Sequence, residues 1–397
     1  MKKSGGERNS NSLIRIVFEN SHERRRELVG DIRTVILPMT LQNLISAIVN
    51  TADVIMLGYL NQSVLSASSL ANQITMIFIL FCSGLSSGII IMASQYWGKR
   101  QIGTLRILLG MGLKVSLIVS AFFALCAIFI PKYLMIIYTD DPELIRIGAS
   151  YLRVVGWSYL FMGISQTYEC IIKSMGRAKT ATIFSFCALI TNILLNAVLI
   201  FGLLGFPALG ITGAAIATVI SRAVEAVLCI LDSSRQPELL INLKIFALWN
   251  HTLFTDFCKY SLPALGNEFL WGAGFSCYTA ILGRMGSDIV AANSVVSAAR
   301  NLCMVFVFGA AYGAAVIIGN DIGSGLEKKA RKDASSMLKI VFCASLLAGA
   351  VLLLIRPLIF HFTSLSDNAK YDLTVMLWIN CIYILGMGLN TTCVCGL

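Results

Sequence analysis

Six side chains in this sequence have types and positions that can do chemistry inside a membrane: Asp53, Asn192, Asn196, Thr218, Glu268 and Arg300. Each falls within a long apolar run, where an ionisable or strongly polar group is costly unless it pairs, binds or carries charge. Asp53 has no basic neighbour along its own run. Asn192 and Asn196 are spaced i, i+4, which puts two amides on one helix face. One carboxylate, two amide oxygens and the Thr218 hydroxyl form a hard-oxygen set. Such a set suits a small monovalent cation, or a proton held by Asp53 with the amides as partners. The competing reading is that the Asn and Thr side chains only glue helices together.

Glu268 and Arg300 enter from opposite ends of neighbouring runs and reach comparable depth. They are candidates for second-lobe coupling or substrate contact, with a static ion pair between two helices as the alternative. The other ionisable residues at depth have local explanations. Glu169 and Lys173 are spaced i, i+4 and Arg222 and Glu225 i, i+3, so each pair can close along its own helix. Lys114 and Arg153 can snorkel toward an interface.

Catalysis finds no support in the sequence. The three histidines, His22, His251 and His361, fall in predicted tails or loops, and no GxSxG, HExxH or Walker motif is present. The twelve cysteines are scattered without CxxC pairs, as small apolar packing residues are. The chain is read as a non-enzyme without a cofactor. Its coupling ion would be H+ or Na+, and the only metal site would be Na+ at Asp53.

The elements that hold these residues follow from composition. Of 397 residues 57% are apolar and only 13% charged, with mean hydropathy +0.78. Soluble domains carry about 25% charge, so a water-soluble globule is excluded and the bilayer is the solvent. A transmembrane helix needs about 20 mostly apolar residues. Ten runs qualify, near 35–58, 70–94, 106–130, 149–171, 180–203, 209–231, 260–282, 290–317, 336–359 and 373–395.

The net charge of +10 is a topology signal rather than a nucleic-acid footprint. The tail and even-numbered loops hold twenty-one Lys and Arg, against five in the odd-numbered loops. The amino terminus is therefore expected in the cytoplasm. No cleavable signal peptide is expected, because the polar, Arg-rich segment of residues 1–34 precedes the first apolar run.

Sliding the chain by 225 residues pairs Pro38 with Pro263, Gly84 with Gly309, Gly88 with Gly313, Gly98 with Gly323 and Gly163 with Gly388. The offset contains six helices, an even number, so the copies share one orientation and form parallel repeats about an axis along the membrane normal. The fold expected is an all-α polytopic membrane protein. Its parts are a basic tail (1–34), a six-helix N-lobe (35–231), an interfacial cytoplasmic linker (232–259) and a C-lobe (260–397). At the same offset residue 397 corresponds to 172, just after the fourth helix of the first copy. The C-lobe is thus expected to hold four helices, two fewer than its mate, as in a truncated chain.

Several stretches are specific: NTADVIMLGYL (50–60), ASQYWGKRQ (93–101), GRAKTATI (176–183), NILLNAVLIFGLLGFPALGITGAAIATVISR (192–222), LPALGNEFLWG (262–272) and AANSVVSAAR (291–300). Through them the chain resembles the multidrug and toxic compound extrusion family of cation-coupled exporters. The resemblance implies two lobes forming a V that opens to either side in turn. It also implies export of hydrophobic, often cationic compounds against inward H+ or Na+. Asp53 matches the family's first-lobe acid, Asn192 and Asn196 its fifth-helix pair, and Thr218 the Thr of the next helix. Glu268 is similar to a seventh-helix Glu of some members, whereas their tenth-helix acid is replaced near Gly388.

The partners expected are organic cations or drugs and the lipid bilayer, with no nucleic acid. The chain is expected to act as a monomer in the plasma or inner membrane. Two other readings stand beside this one. The first is a flippase for lipid-linked precursors, which would want several cavity cations where only Arg300 is available. The second is a non-transporting scaffold.

Overall fold

The computed structural model describes residues 30, 32–58, 60, 62–241, 245–246, 249–285, 287–357 and 367–396. For some helical residues, Asp53 among them, the backbone alone is described. Ten long helices account for most of these residues. They are α1 (Leu37–Gly58), α2 (Gln62–Gly98), α3 (Ile102–Phe129), α4 (Pro142–Ser174), α5 (Ala178–Phe201), α6 (Ile211–Ser234), α7 (His251–Met285), α8 (Ser287–Gly323), α9 (Glu327–Leu354) and α10 (Asp367–Gly396). No strand occurs among the described residues. Seven of the described helices are long and apolar enough to cross a membrane by length and composition. Ile118, Leu270, Leu347 and Ile382 are 67–77% exposed, an arrangement stable only where hydrocarbon covers them.

Each of the ten runs read from the sequence falls on one helix, and most helices overrun their run. α2 begins at Gln62 rather than 70, α4 at Pro142 rather than 149, and α9 at Glu327 rather than 336. The apolar run measures the hydrocarbon thickness, whereas helical hydrogen bonding continues through polar flanks into water. Local signals then set the ends. The Asp141 side chain caps α4 by accepting from the Glu143 amide at 2.8 Å, with Pro142 in the first turn. Gly202 adopts φ +71° and closes α5 with its amide on the Val198 carbonyl.

The segment between α6 and α7 departs from the sequence reading. Residues 251–259 belong to α7, so His251 opens a helix instead of lying in a loop. His22 and His361 lie outside the described residues. Leu239 and Ile245 are fully buried against the core that α3 and α4 build. The Ser233 hydroxyl donates to the Leu239 carbonyl at 2.8 Å and accepts from the Ile241 amide at 2.7 Å. Apolar residues spaced too loosely for a span still find a protein surface to cover.

The helices of the first half pack α1 on α5, α4 on α2, α3 and α6, and α5 on α6. In the second half α8, α9 and α10 pack on one another. The halves meet where α2 lies along α7 and where α8 lies along α1 and α2. A methyl group on Gly84 of α2 would lie 2.7 Å from the Leu265 Cα, and one on Gly309 of α8 would lie 2.6 Å from the Thr40 Cα. Likewise Gly88 abuts Ser261 while Gly313 abuts Ile36. Thr40 and Ile36 plus 225 are 265 and 261, so the two junctions are the same contact made twice. Without water to drive apolar faces together, helices in lipid associate where small residues let backbones touch.

Candidate cation and substrate sites

α5 carries Asn192 and Asn196, which are 2% and 0% exposed. The Asn196 Nδ2 donates to the Asn192 Oδ1 at 3.0 Å, so the two amides are tied one turn apart on the face the spacing predicted. α1 packs directly on α5, and α6 packs on both. Asp53 lies on α1 and Thr218 on α6, so the elements that carry the four residues form one contiguous group. The Asp53 side chain lies outside the described residues. The Thr218 Oγ1 donates to the Ala214 carbonyl at 3.0 Å, which spends its proton on its own helix and leaves oxygen lone pairs free to accept or to ligate.

Closer to the amino-terminal end of α1, the pairs read as separate along-helix bridges are present but joined. Lys173 meets Glu169 at 3.1 Å and Arg222 meets Glu225 at 2.9 Å. The Gln42 Nε2 donates to the Glu169 Oε2 at 2.6 Å and to the Ser185 Oγ at 2.8 Å, and the Ser185 hydroxyl donates to the Glu225 Oε1 at 3.1 Å. Four helices, α1, α4, α5 and α6, therefore share one polar network. Glu169 and Glu225 are nearly buried within it, at 5% and 4% exposure. Two acids and two bases balance its charge. Gln42 and Ser185 carried no signal in the sequence, since an isolated Gln or Ser in an apolar run is unremarkable until its neighbours are known.

A further clamp sits outside this network. The Arg177 guanidinium grips both Asp232 oxygens, at 2.9 and 3.1 Å, and the Tyr168 hydroxyl donates to Asp232 at 2.7 Å. This hydrogen-bonded carboxylate pushes the Arg177 pKa further up.

In the second half the structure keeps Glu268 and Arg300 apart. Among the described residues no ion pair joins them, and the static-lock reading loses its geometry. Arg300 is 6% exposed. Its Nη1 donates to the Asn380 Oδ1 at 3.0 Å and its Nη2 to the Ser297 Oγ at 3.4 Å. The guanidinium lies 5.3 Å from the Phe275 ring centroid and 5.1 Å from that of Tyr383. The Tyr383 hydroxyl in turn accepts from the Trp271 Nε1 at 3.1 Å. Glu268 is half-buried on α7. Lys114 sits 5.0 Å over the Trp249 ring.

Comparison with known proteins is consistent across sequence and fold. A probable multidrug resistance protein NorM of Rhizobium meliloti (strain 1021) is 28% identical over 288 residues, covering 70% of this chain and 60% of that protein. A probable multidrug resistance protein NorM of Synechocystis sp. is 27% identical over 361 residues, covering 84% of this chain and 73% of that protein. The chain thus spans less than two thirds of the Rhizobium relative. A solved structure described as the outward-facing conformation of a multidrug resistance MATE family transporter superposes with a TM-score of 0.82. It covers 92% of this chain and 83% of that one at 20% identity, which bears on the fold alone. The profile of the MatE family matches residues 38–198 and 263–397, the two halves that the offset of 225 residues relates, and the chain belongs to that family.

Proposed function

We propose that this multi-pass membrane protein is a cation-coupled antiporter that exports hydrophobic, cationic organic compounds by alternating access. The observation that carries the proposal is the buried Asn192–Asn196 pair, packed between the helix bearing Asp53 and the helix bearing Thr218. A costly polar cluster that does no catalysis and is charge-neutral except for one acid suits reversible binding of one monovalent cation. The names of the two NorM relatives support a drug-like substrate.

In this scheme H+ or Na+ reaches Asp53 from outside and neutralises the acid. The desolvation cost of closing the lobe around Asp53 falls, and its helices repack and expel the substrate from the cleft. The closest backbone approaches between the halves involve the carboxy-terminal parts of α2 and α8 and the amino-terminal parts of α1 and α7. Those ends carry the basic loops, which supports an amino terminus in the cytoplasm of a cell membrane and a state closed on that side.

The test is ethidium flux in proteoliposomes containing the chain, with and without an imposed pH or Na+ gradient. Gradient-driven accumulation is expected. A flippase or a scaffold would give none, and that outcome would reject the proposal.

A further inference from the structure

Arg106, Gly110, Leu113 and Lys114 on α3 recur 225 residues later as Arg331, Ser335, Leu338 and Lys339 on α9. In both helices they fall at i, i+4, i+7 and i+8, a single stripe, at the end that carries the basic loops. On α3 the stripe is covered. Ile245, itself fully buried, lies so close that a methyl group on Gly110 would sit 2.5 Å from its carbonyl oxygen. Leu113 is fully buried and Lys114 stands 5.0 Å over the Trp249 ring.

Among the described residues no segment covers the same stripe on α9. Arg331, Ser335 and Lys339 are exposed and Leu338 is only partly buried. With Phe342, and with Leu389 of α10, they line an open groove of about 770 Å³. Neither the Arg331 nor the Lys339 side chain has an ion-pair or hydrogen-bond partner among the described residues.

The exchange of Gly110 for Ser335 decides which kind of occupant fits. A peptide backbone reaches α3 because position 110 has no Cβ, and Ser335 bars the same approach to α9. Its hydroxyl offers a donor instead. Arg331 and Lys339 start about 12 Å apart along the axis at 1.5 Å rise per residue. Helical side chains lean toward the amino terminus, so the Lys339 stem runs back toward the water boundary and Arg331. Two cations and a hydroxyl at that boundary, above Leu338, Phe342 and Leu389 in the hydrocarbon, match a phosphate head and an acyl chain.

We infer that the groove between α9 and α10 binds an anionic phospholipid of the leaflet that the basic loops face. Arg331, Lys339 and Ser335 hold its phosphate, and one acyl chain lies along Leu338, Phe342 and Leu389. The site is independent of the exporter reading, and its test involves no transport.

The experiment titrates phosphatidylglycerol and phosphatidylcholine of identical chains into the full chain in detergent and counts bound lipids by native mass spectrometry. The wild type is expected to hold one phosphatidylglycerol about tenfold more tightly than phosphatidylcholine. The double variant Arg331→Gln, Lys339→Gln should bring the ratio near one. Lys328→Gln with Lys332→Gln removes the same charge from exposed positions outside the groove and should leave the ratio unchanged. Leu338→Trp fills the groove and should weaken both lipids. Glycerol 3-phosphate, a head without chains, should not displace the bound lipid at equal concentration. Equal affinities in the wild type, an unchanged ratio in the Arg331 and Lys339 variant, or an equal loss in the Lys328 and Lys332 variant would overturn the inference. So would displacement by glycerol 3-phosphate, or a dimer that the Arg331 and Lys339 variant abolishes, which would make the groove an anion site or a contact between copies.

Discussion

Gly98 at the end of α2 lies against the Asn320 carbonyl of α8, and Gly323 at the end of α8 lies against the Gln95 carbonyl of α2. Gln95 and Asn320 are themselves 225 residues apart, as are the two glycines, so the contact is its own image under the repeat. The Ser324 hydroxyl donates to the Gly98 carbonyl at 3.1 Å and seals the crossing. The two helices cross so closely here that only a residue without Cβ fits.

Gly98→Ala and Gly323→Ala should therefore each destabilise by about 1–3 kcal/mol through overpacking, and by similar amounts because their surroundings are equivalent. Gly103→Ala on α3 is the control, since a methyl group there meets nothing within 4 Å, and it should be neutral or stabilising by up to about 1 kcal/mol. Thermal unfolding in detergent followed by circular dichroism separates them. Equal midpoints for all three variants would contradict the packing account.

The network through Gln42 yields a second expectation. Gln42→Leu removes the donor that joins Glu169 to Ser185 and leaves a buried carboxylate short of a partner, a loss of about 1–3 kcal/mol. Ser185→Ala should cost less alone, because Glu225 keeps Arg222 at 2.9 Å. The double variant should fall short of the sum by about 0.5 kcal/mol or more, as residues of one network do. Strict additivity in the unfolding midpoints would mean that the two helix pairs are independent after all.

Thr218 offers a way to separate folding from coupling. Its proton is already given to the Ala214 carbonyl, a local bond that a helix does not need. Thr218→Val should thus change stability by less than about 0.5 kcal/mol. If its oxygen ligates the coupling ion, the ion concentration for half-maximal flux should rise about tenfold, in line with about 1.5 kcal/mol for a bond to a charged group. Unchanged ion dependence would remove Thr218 from the site.

The sequence displayed some of this molecule and concealed the rest for physical reasons. Ten helices were legible because lipid demands uninterrupted apolar runs, and the repeat was legible because close crossings demand Gly at fixed places. Helix ends were not, since α7 continues through polar residues to His251. The Asn192–Asn196 pair could be read from one helix, being four residues apart. Arg300 could be picked out by its charge, but its partners could not: Asn380 is 80 residues away. Glu268 stood at plausible depth for a pair with Arg300, and depth alone does not say which face of a helix a side chain occupies. Gln42 and Ser185 became visible only once Glu169 and Glu225, on different helices, were seen to share them.

The central claim is that Asp53, with the amides of Asn192 and Asn196, couples a cation gradient to export. Its most direct measurement is gradient-driven ethidium flux in proteoliposomes for the wild type and Asp53→Asn, under a pH gradient and, separately, a Na+ gradient. The account predicts that the variant folds, still equilibrates ethidium passively, and loses essentially all accumulation under whichever gradient drives the wild type. Accumulation by Asp53→Asn at the wild-type rate and extent would contradict it.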